Sequence, residues 1–281
     1  MFGCALRTVL VTNGNLLSLL SLGDFLKAHH RDIAAVFITT RLPSQRSNII
    51  GVWRMFLRSG WAYTKFKLLT NRLLPMRLRG KGLCPTVAEY LRHVGSPAEV
   101  IDAADINEPA IVERVRGFAP EILLSFSATT RFQDQLVEVP SRAAVNAHYA
   151  LLPAYAGLSP YFWYLRNGES ESGVTLHQIA SRLDAGPIIE QRRFAMAGLR
   201  TVLGVLRKQM ALVSPMLNRF YAGETSEQGA YPQDLSKRSY FRHPTRADVS
   251  ALLRQGIQFH DREDLDAVEQ AARDLLSPAA G

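Results

Sequence analysis

Residues 143–160 read AAVNAHYALLPAYAGLSP, and this stretch passes from an apolar run into a loop rich in proline and glycine. The run over 143–148 predicts a short strand that becomes polar at its end. Proline at 153 and 160 and glycine at 157 then set a loop. Because Asn146 and His148 lie two residues apart in a strand, we expect their side chains to share one face of a sheet.

Further apolar runs on both sides of this stretch predict strands: TVLVT (8–12), IAAVFIT (33–39), EILLSFS (121–127) and GVTLHQI (173–179). Helix-like stretches such as 16–30 separate them. This alternation favours an α/β fold with a mostly parallel sheet and helices on both faces. Since ligands bind beyond the carboxyl ends of the strands in such sheets, functional residues are expected directly after strands.

The composition is that of a globular protein with one unusual segment. The chain has 281 residues, 47% of them hydrophobic, and a net charge of +8. Ten basic residues and no acidic residue lie within 41–88, which leaves 23 basic and 25 acidic residues elsewhere. The excess charge therefore belongs to this segment. The two cysteines exclude a disulfide framework and a multi-cysteine metal cluster.

No stretch of the chain predicts a membrane-spanning helix or a secretory signal. The first apolar run ends at Asn13-Gly14-Asn15, and nothing later approaches the roughly 20 apolar residues that a spanning helix needs. We expect a soluble, cytoplasmic protein on this basis.

Three polar residues at predicted strand ends could handle protons together: Asn146, His148 and Asp184, the last within the loop SRLDAGP (181–187). An amide can donate to an oxyanion, an imidazole can move a proton near neutral pH, and a carboxylate can orient the imidazole. The alternative is a hydrogen-bonded structural pair and an aspartate that serves a turn. No motif nominates a protein nucleophile or a zinc site.

The motifs VNAH (145–148), LLPAYAG (151–157), GVT (173–175) and LDAGPII (183–189) resemble the folate-dependent formyltransferase superfamily in order and spacing. This group includes glycinamide ribonucleotide, methionyl-tRNA and sugar N-formyltransferases and formyltetrahydrofolate deformylases. The resemblance implies a Rossmann-like catalytic domain over 1–222 that uses 10-formyltetrahydrofolate as co-substrate and no metal.

The resemblance also implies roles for individual residues. Asn146 would hold the formyl oxygen, His148 would move protons, and Asp184 would pair with His148. Folate contacts are expected at Ser127, Ala128, Thr129, Phe132, Arg182, Leu183, Ala185 and Gly186. Acceptor contacts are expected at Asn13, Gly14, Asn15, Tyr149, Pro153 and His177; for His177, a structural role in the strand is an equal alternative. The other histidines are expected at the surface: His29, His30, His93, His243 and His260.

The basic, aromatic-rich insertion at about 42–82 has four interpretations. It could be a helical hairpin with a solvated basic face, in which Ala62, Phe66, Leu69 and Leu73 face the core opposite Thr64, Lys67 and Asn71. It could instead contact a phosphate-bearing substrate such as a nucleotide-linked amino sugar, bind tRNA, or lie on anionic lipid. The 223–281 segment predicts a linker and a short helical extension, unlike the added β-barrel of the tRNA enzymes, which argues against nucleic acid.

The expected function is transfer of a formyl group from 10-formyltetrahydrofolate to a primary amine of a small, anionic metabolite. The alternatives are a methionyl-tRNA formyltransferase-like enzyme and a formyltetrahydrofolate hydrolase. A non-enzymatic alternative is an idle member that binds membrane or RNA through 42–82. The oligomeric state and the identity of the acceptor are not readable from the residues.

Overall fold

Seven strands form one sheet at the centre of the computed structural model, which describes residues 6–39 and 48–277. Their order is β3-β2-β1-β4-β5-β7-β8, and β6 pairs with β9 in a separate two-stranded ladder. The strands are β1 (Thr8–Thr12), β2 (Ile33–Thr39), β3 (Glu99–Ala103), β4 (Ile122–Phe126), β5 (Ala143–His148), β6 (Ala156–Gly157), β7 (Glu171–Gln178), β8 (Ile188–Ala195) and β9 (Tyr240–Phe241). The first five run parallel, and β7 and β8 are antiparallel additions at one edge. The predicted α/β fold with a mostly parallel sheet is confirmed.

Helices cover both faces of this sheet. They are α1 (Leu16–His29), α2 (Asn48–Leu68), α3 (Leu74–Arg79), α4 (Val87–His93), α5 (Pro109–Gly117), α6 (Asp134–Val137), α7 (Pro160–Arg166), α8 (Val202–Tyr221), α9 (Arg246–Arg254) and α10 (Arg262–Leu276). Every residue of β1 and β4 is buried, as expected for strands covered on both faces. None of the helices among the described residues is long and apolar enough to cross a membrane.

Two apolar layers flank the sheet. On one face, α1 and α8 pack through residues such as Phe25 and Phe220 against Leu10 of β1. On the other face, Val112 and Leu136 pack against Leu123. α8 continues through Pro215 as a single helix.

The basic insertion is helical and consists of two helical pieces that meet at Gly60, as predicted. α2 changes direction at Gly60, whose φ of 77° lies outside the helical region, and then passes through a π-helical turn, Leu69–Leu73, into α3. Pro75 lies in the first turn of α3, where a missing N–H costs nothing, so the helical run continues through it. Residues 42–47 of the insertion lie outside the described residues.

The predicted core stripe of the insertion is only partly correct. Phe66 is buried, but Leu73 is 57% exposed, because the π-helical turn shifts the helical phase before it. Thr64 was expected on a solvated face and is buried, and Lys67 contacts Tyr161 of α7. The helix is therefore covered on two sides, and its basic face is not simply solvated.

The C-terminal segment, 223–277, packs directly on the sheet domain. β9 pairs with β6, α9 packs on α2, and α10 packs on α1 and α8. The Thr201 hydroxyl donates to a carboxylate oxygen of Asp264 at 2.6 Å, so α8 and α10 are tied at one end. The predicted helical character of this segment is confirmed, while the division at 222 and 223 stays a prediction.

Candidate active site

A cavity of ≈ 690 Å³ opens beyond the carboxyl ends of β1, β4 and β5. The order of the parallel strands reverses between β1 and β4, and such a switch point is where open α/β sheets bind ligands. The volume falls in the range of about 300–1,000 Å³ that is typical of small-molecule sites. The cavity is lined by residues from the strand ends, the insertion, α7 and the C-terminal segment.

One side of the cavity, the strand-end wall, consists of Asn146, His148, His177 and Asp184. The antiparallel register of β5 and β7 places Asn146 directly opposite His177. The Asn146 amide nitrogen donates to His177 Nε2 at 3.1 Å, and His177 Nδ1 donates to the carbonyl oxygen of Gln178 at 2.7 Å. These partners fix both the histidine tautomer and the orientation of the amide.

Burial keeps the His177 ring neutral. Desolvation lowers the pKa of His177 to about 4, and this effect outweighs the attraction of the Asp184 carboxylate. A neutral ring with Nδ1 protonated presents a lone pair at Nε2. His177 therefore accepts one N–H of Asn146 and leaves the second amide hydrogen for a ligand.

His148 lies between two oxygen atoms. Its Nδ1 is 3.7 Å from Asp184 Oδ1, and its Nε2 is 3.4 Å from the carbonyl oxygen of Tyr155. A proton on either ring nitrogen thus faces an acceptor. The Nδ1 distance is longer than a hydrogen bond but within the range of an ion pair.

Asp184 is buried, and a backbone hydrogen bond fixes its carboxylate. It is 8% exposed, adopts a φ of 52°, and accepts the N–H of Gly157 at 2.9 Å through Oδ2. Gly157 has a φ of 98°, and a Cβ there would lie 2.3 Å from the carbonyl oxygen of Phe241. Only glycine fits this position, and it allows the loop 153–157 to bring the Gly157 N–H to the Asp184 carboxylate.

The C-terminal segment supports the same loop. The Gln233 amide nitrogen donates to the carbonyl oxygens of Asp184 at 3.2 Å and Gly186 at 2.7 Å, and Arg238 donates to that of Leu183 at 3.1 Å. The residues 223–277 are therefore part of the structure that positions the candidate carboxylate.

The structure brings most predicted contact residues to one cavity. Those that line it are Asn13, Asn15, Ser127, Ala128, Thr129, Phe132, Tyr149, His177 and Leu183, together with Asn146, His148 and Asp184. The predicted contacts that do not line it are Gly14, Pro153, Arg182, Ala185 and Gly186. Gly186 packs against the backbone of β7, since a Cβ there would lie 1.9 Å from the carbonyl oxygen of Gln178.

Several lining residues carried no recognisable signal in the sequence. They are Met55, Lys67 and Asn71 of the insertion, Ser159 and Tyr161 near the start of α7, and Tyr240 and His243 of the C-terminal segment. His243, which was expected at the surface, is half-buried and lines the cavity. Its Nδ1 lies 3.1 Å from the Tyr63 hydroxyl and 3.3 Å from the Ser159 hydroxyl. These contacts join residues far apart in the chain, which local patterns do not reveal.

The fold and the strand-end wall define the class: a doubly wound α/β protein with an amide, an imidazole and a carboxylate at its switch point. Residues 85–205 match the formyl transferase family model. The match confirms the predicted resemblance to the formyltransferase superfamily, and it contains all four residues of the strand-end wall.

Solved structures share the fold at low sequence identity. Glycinamide ribonucleotide transformylase 1 from Symbiobacterium toebii aligns with a TM-score of 0.53 at 18% identity, over 82% of this chain and 94% of that one. A sugar N-formyltransferase from a Shewanella species aligns with a TM-score of 0.53 at 14% identity, over 96% and 88%. The N-formyltransferase from Helicobacter canadensis, solved with folinic acid and dTDP-3-aminofucose, gives 0.52 at 20% identity, over 85% and 71%.

Proposed function

We propose that the protein is an N-formyltransferase that moves the formyl group of 10-formyltetrahydrofolate to a primary amine of a small, anionic metabolite, such as a nucleotide-linked amino sugar. The observation that carries the proposal is the convergence of Asn146, His148 and Asp184 on one cavity, within the segment that matches the formyl transferase family. The shared fold with sugar N-formyltransferases supports the choice of acceptor class.

The residues beside the end of β4 fit a folate. Ala128, Phe132 and Leu183 offer apolar surface for a pterin ring, and Ser127 and Thr129 offer polar groups for its edge. The Thr129 N–H donates to the Thr39 hydroxyl at 3.1 Å, which ties this loop to the end of β2. Arg131 lines the same part of the cavity and could pair with the carboxylates of a folate tail.

When bound, 10-formyltetrahydrofolate would supply a formyl carbon at the oxidation level of formate. Asn146 would donate its second amide hydrogen to the formyl oxygen, where negative charge develops as the amine attacks. His148 would accept the proton that the attacking amine loses and return it to the departing folate nitrogen. Asp184 would orient the His148 ring and stabilise its protonated form during this exchange.

The cavity chemistry also supports an anionic acceptor. Among the cavity-lining residues that the structure describes, Asp184 is the only acid, and its Oδ2 is already engaged by Gly157. Lys67 supplies positive charge on the cavity surface, in addition to Arg131 on the side assigned to the folate. An amine carried on a neutral or positive molecule would gain nothing from these cations.

The test is a product analysis with 10-formyltetrahydrofolate and a panel of amines: nucleotide-linked amino sugars, glycinamide ribonucleotide and methionyl-tRNA. We expect tetrahydrofolate to appear only with an amine present, in equal amount to the formylated amine. Formate release without any amine would replace the proposal with a hydrolase. Failure to bind folate would replace it with a non-catalytic role.

A further inference from the structure

Lys67 is an unusual lysine because it lies among aromatic rings instead of beside a carboxylate. Its Nζ donates to the Tyr161 hydroxyl at 2.8 Å and lies 5.6, 6.0 and 5.5 Å from the ring centroids of Tyr63, Phe66 and Tyr161. Burial disfavours the charged ammonium, but the two tyrosines outweigh this and raise the pKa of Lys67. The same ammonium lowers the pKa of Tyr161 against the opposing effect of burial. The hydrogen bond that Lys67 donates and the aromatic faces around its Nζ both favour the ammonium form at the cavity wall.

Asn71 extends this cation into a polar patch. It lies one turn after Lys67, inside the π-helical turn Leu69–Leu73, a form of helix that is often found at functional sites. The Asn15 amide nitrogen lies 3.5 Å from the Asn71 amide oxygen, so the patch reaches the start of α1. Asn15 is the N-cap of α1, whose N-terminus carries the positive end of the helix dipole and so favours negative charge.

We infer that Lys67 and Asn71 form an anion subsite, which holds the phosphate or diphosphate of the acceptor while its amine reaches the strand-end wall. The identity of the ligand as the acceptor's phosphate rests on the proposed function, whereas the prediction that an anion binds here does not. The subsite is built by the insertion, so the basic segment would select the acceptor and take no part in proton transfer.

The test compares Lys67→Met with Lys65→Met. Lys65 is exposed on the same helix two residues away, so its variant changes the net charge equally without touching the cavity. Inorganic pyrophosphate and inorganic phosphate are titrated calorimetrically into the wild type and both variants, in the absence of folate. We expect Lys67→Met to weaken pyrophosphate binding at least tenfold and Lys65→Met to leave it unchanged. Equal binding by all three proteins would overturn the subsite.

A kinetic arm separates this inference from the proposed function. With an acceptor that the enzyme formylates, Lys67→Met should raise the acceptor KM about tenfold or more and leave the folate KM unchanged. Lys67→Arg should recover part of the loss. If no amine is formylated but Lys67-dependent pyrophosphate binding persists, the proposed function fails and the subsite stands. If formylation proceeds with unchanged acceptor KM in Lys67→Met, the subsite fails and the function stands.

A second, independent observation concerns the first half of α2. Its exposed residues form an apolar row, Ile49, Trp53 and Leu57, beside a basic row, Arg54 and Arg58, and Trp61 is exposed directly after the bend at Gly60. The fraction of side-chain surface exposed is 83% for Ile49, 56% for Trp53 and 59% for Trp61, which is unusual for residues of this size. We call these six residues the α2 outer face.

We propose that the α2 outer face docks on the surface of an anionic lipid bilayer. Tryptophan and leucine suit the boundary between headgroups and acyl chains, and the arginines suit anionic headgroups. RNA fits less well, because its phosphates would pair with the arginines but leave Ile49 and Leu57 exposed to water. Met55 of the same helix lines the cavity, so the docked helix would lie at the rim of the site.

Vesicle sedimentation tests this surface with two matched pairs of variants. Wild-type protein should sediment with vesicles of phosphatidylcholine and phosphatidylglycerol and not with pure phosphatidylcholine. Trp53→Ser with Leu57→Ser, and separately Arg54→Gln with Arg58→Gln, should reduce binding at least fivefold. The controls Leu235→Ser and Arg116→Gln change exposed residues elsewhere and should bind like the wild type. No binding by wild type, binding to RNA alone, or full binding by the Trp53 and Leu57 variant would overturn the proposal.

Discussion

The strand-end wall and the insertion line the same cavity but are built by different means. Asn146, His148 and His177 stand on β5 and β7, whose ladder fixes their relative positions. Lys67 and Asn71 stand on a helical run that bends at Gly60 and loosens at a π-helical turn. The first region is fixed by the hydrogen bonds of the sheet and can hold reacting atoms; the second is a helical insertion that reaches the cavity by packing on the sheet domain.

This difference assigns different kinetic effects to the two regions. Changes in the strand-end wall should lower kcat for every acceptor, because they remove interactions made in the transition state. Changes at Lys67 should raise the acceptor KM and spare kcat, because they remove binding that is the same throughout the reaction. The predictions below test this separation, beginning with the largest expected effect.

Asn146→Ala removes the proposed oxyanion donor and should lower kcat by roughly 10²–10³. The folate KM should change little, and the melting temperature should stay within a few degrees of the wild type. Steady-state kinetics with circular dichroism as the folding control checks this. A folded Asn146→Ala protein with near wild-type kcat would contradict the role of Asn146 as the oxyanion donor.

Asp184 allows its charge to be separated from its hydrogen bond. Asp184→Asn keeps an oxygen that can accept the Gly157 N–H but loses the charge that faces His148. We expect about a hundredfold lower kcat in both Asp184→Asn and Asp184→Ala, or roughly 2.7 kcal/mol of transition-state stabilisation.

Only Asp184→Ala should also lose stability, by about 1–3 kcal/mol, because it leaves the buried Gly157 N–H without its acceptor. Urea unfolding of the two variants measures this difference. If Asp184→Asn turned over as fast as the wild type, the carboxylate would be a structural part of the loop and not part of the chemistry.

His177→Phe should reduce kcat roughly tenfold, about 1.4 kcal/mol, without changing the acceptor KM. The ring volume is retained, but Asn146 loses the acceptor that orients its amide. His93→Phe, a change at an exposed histidine, is the matched control and should have no effect. If His177→Phe raised the acceptor KM and left kcat unchanged, His177 would contribute to acceptor binding and not to the chemical step.

The buried His177 should also make stability depend on pH. Its pKa is about 4 in the folded protein and about 6.5 when unfolded, so below pH 6.5 the unfolded chain binds a proton that the folded chain does not. The free energy of unfolding should therefore fall with decreasing pH, by about 2 kcal/mol between pH 7 and pH 5. His177→Phe should lack this part of the decrease in urea titrations at the two pH values. Parallel losses in wild type and variant would show that His177 is not the titrating group.

The local elements of the fold were readable from the sequence because local physics determines them. The bounds of β1, β2 and β5 were predicted correctly, since short apolar runs end at polar or turn residues there. Thr86 begins α4 as its N-cap, with its hydroxyl accepting the Glu89 N–H. Asn146, His148 and Asp184 were predicted as one set because they lie at or after strand ends and within family motifs, whereas His177 was predicted only as an acceptor contact with a structural role as an equal alternative.

The contribution of the insertion and the C-terminal segment to the cavity could not be predicted from the sequence, because it depends on packing between distant parts of the chain. The contact of Tyr63 with His243 joins residues 180 positions apart, and no periodicity signals it. The stripe expected at Ala62, Phe66, Leu69 and Leu73 assumed an unbroken helical period, which the π-helical turn ends. The helical pattern therefore placed Lys67 on the solvated face of the insertion, whereas in the structure α7 packs beside it.

The most direct test of the central claim is the fate of a ¹³C-labelled formyl group. Wild-type protein is mixed with 10-formyltetrahydrofolate labelled at the formyl carbon and a nucleotide-linked amino sugar, and the carbon is followed by NMR. The structure predicts that the label moves to an N-formyl amide of the acceptor in the wild type and stays on the folate in Asn146→Ala. Label that appears in formate whether or not an amine is present, or that stays on the folate with every amine in the panel, would contradict formyl transfer.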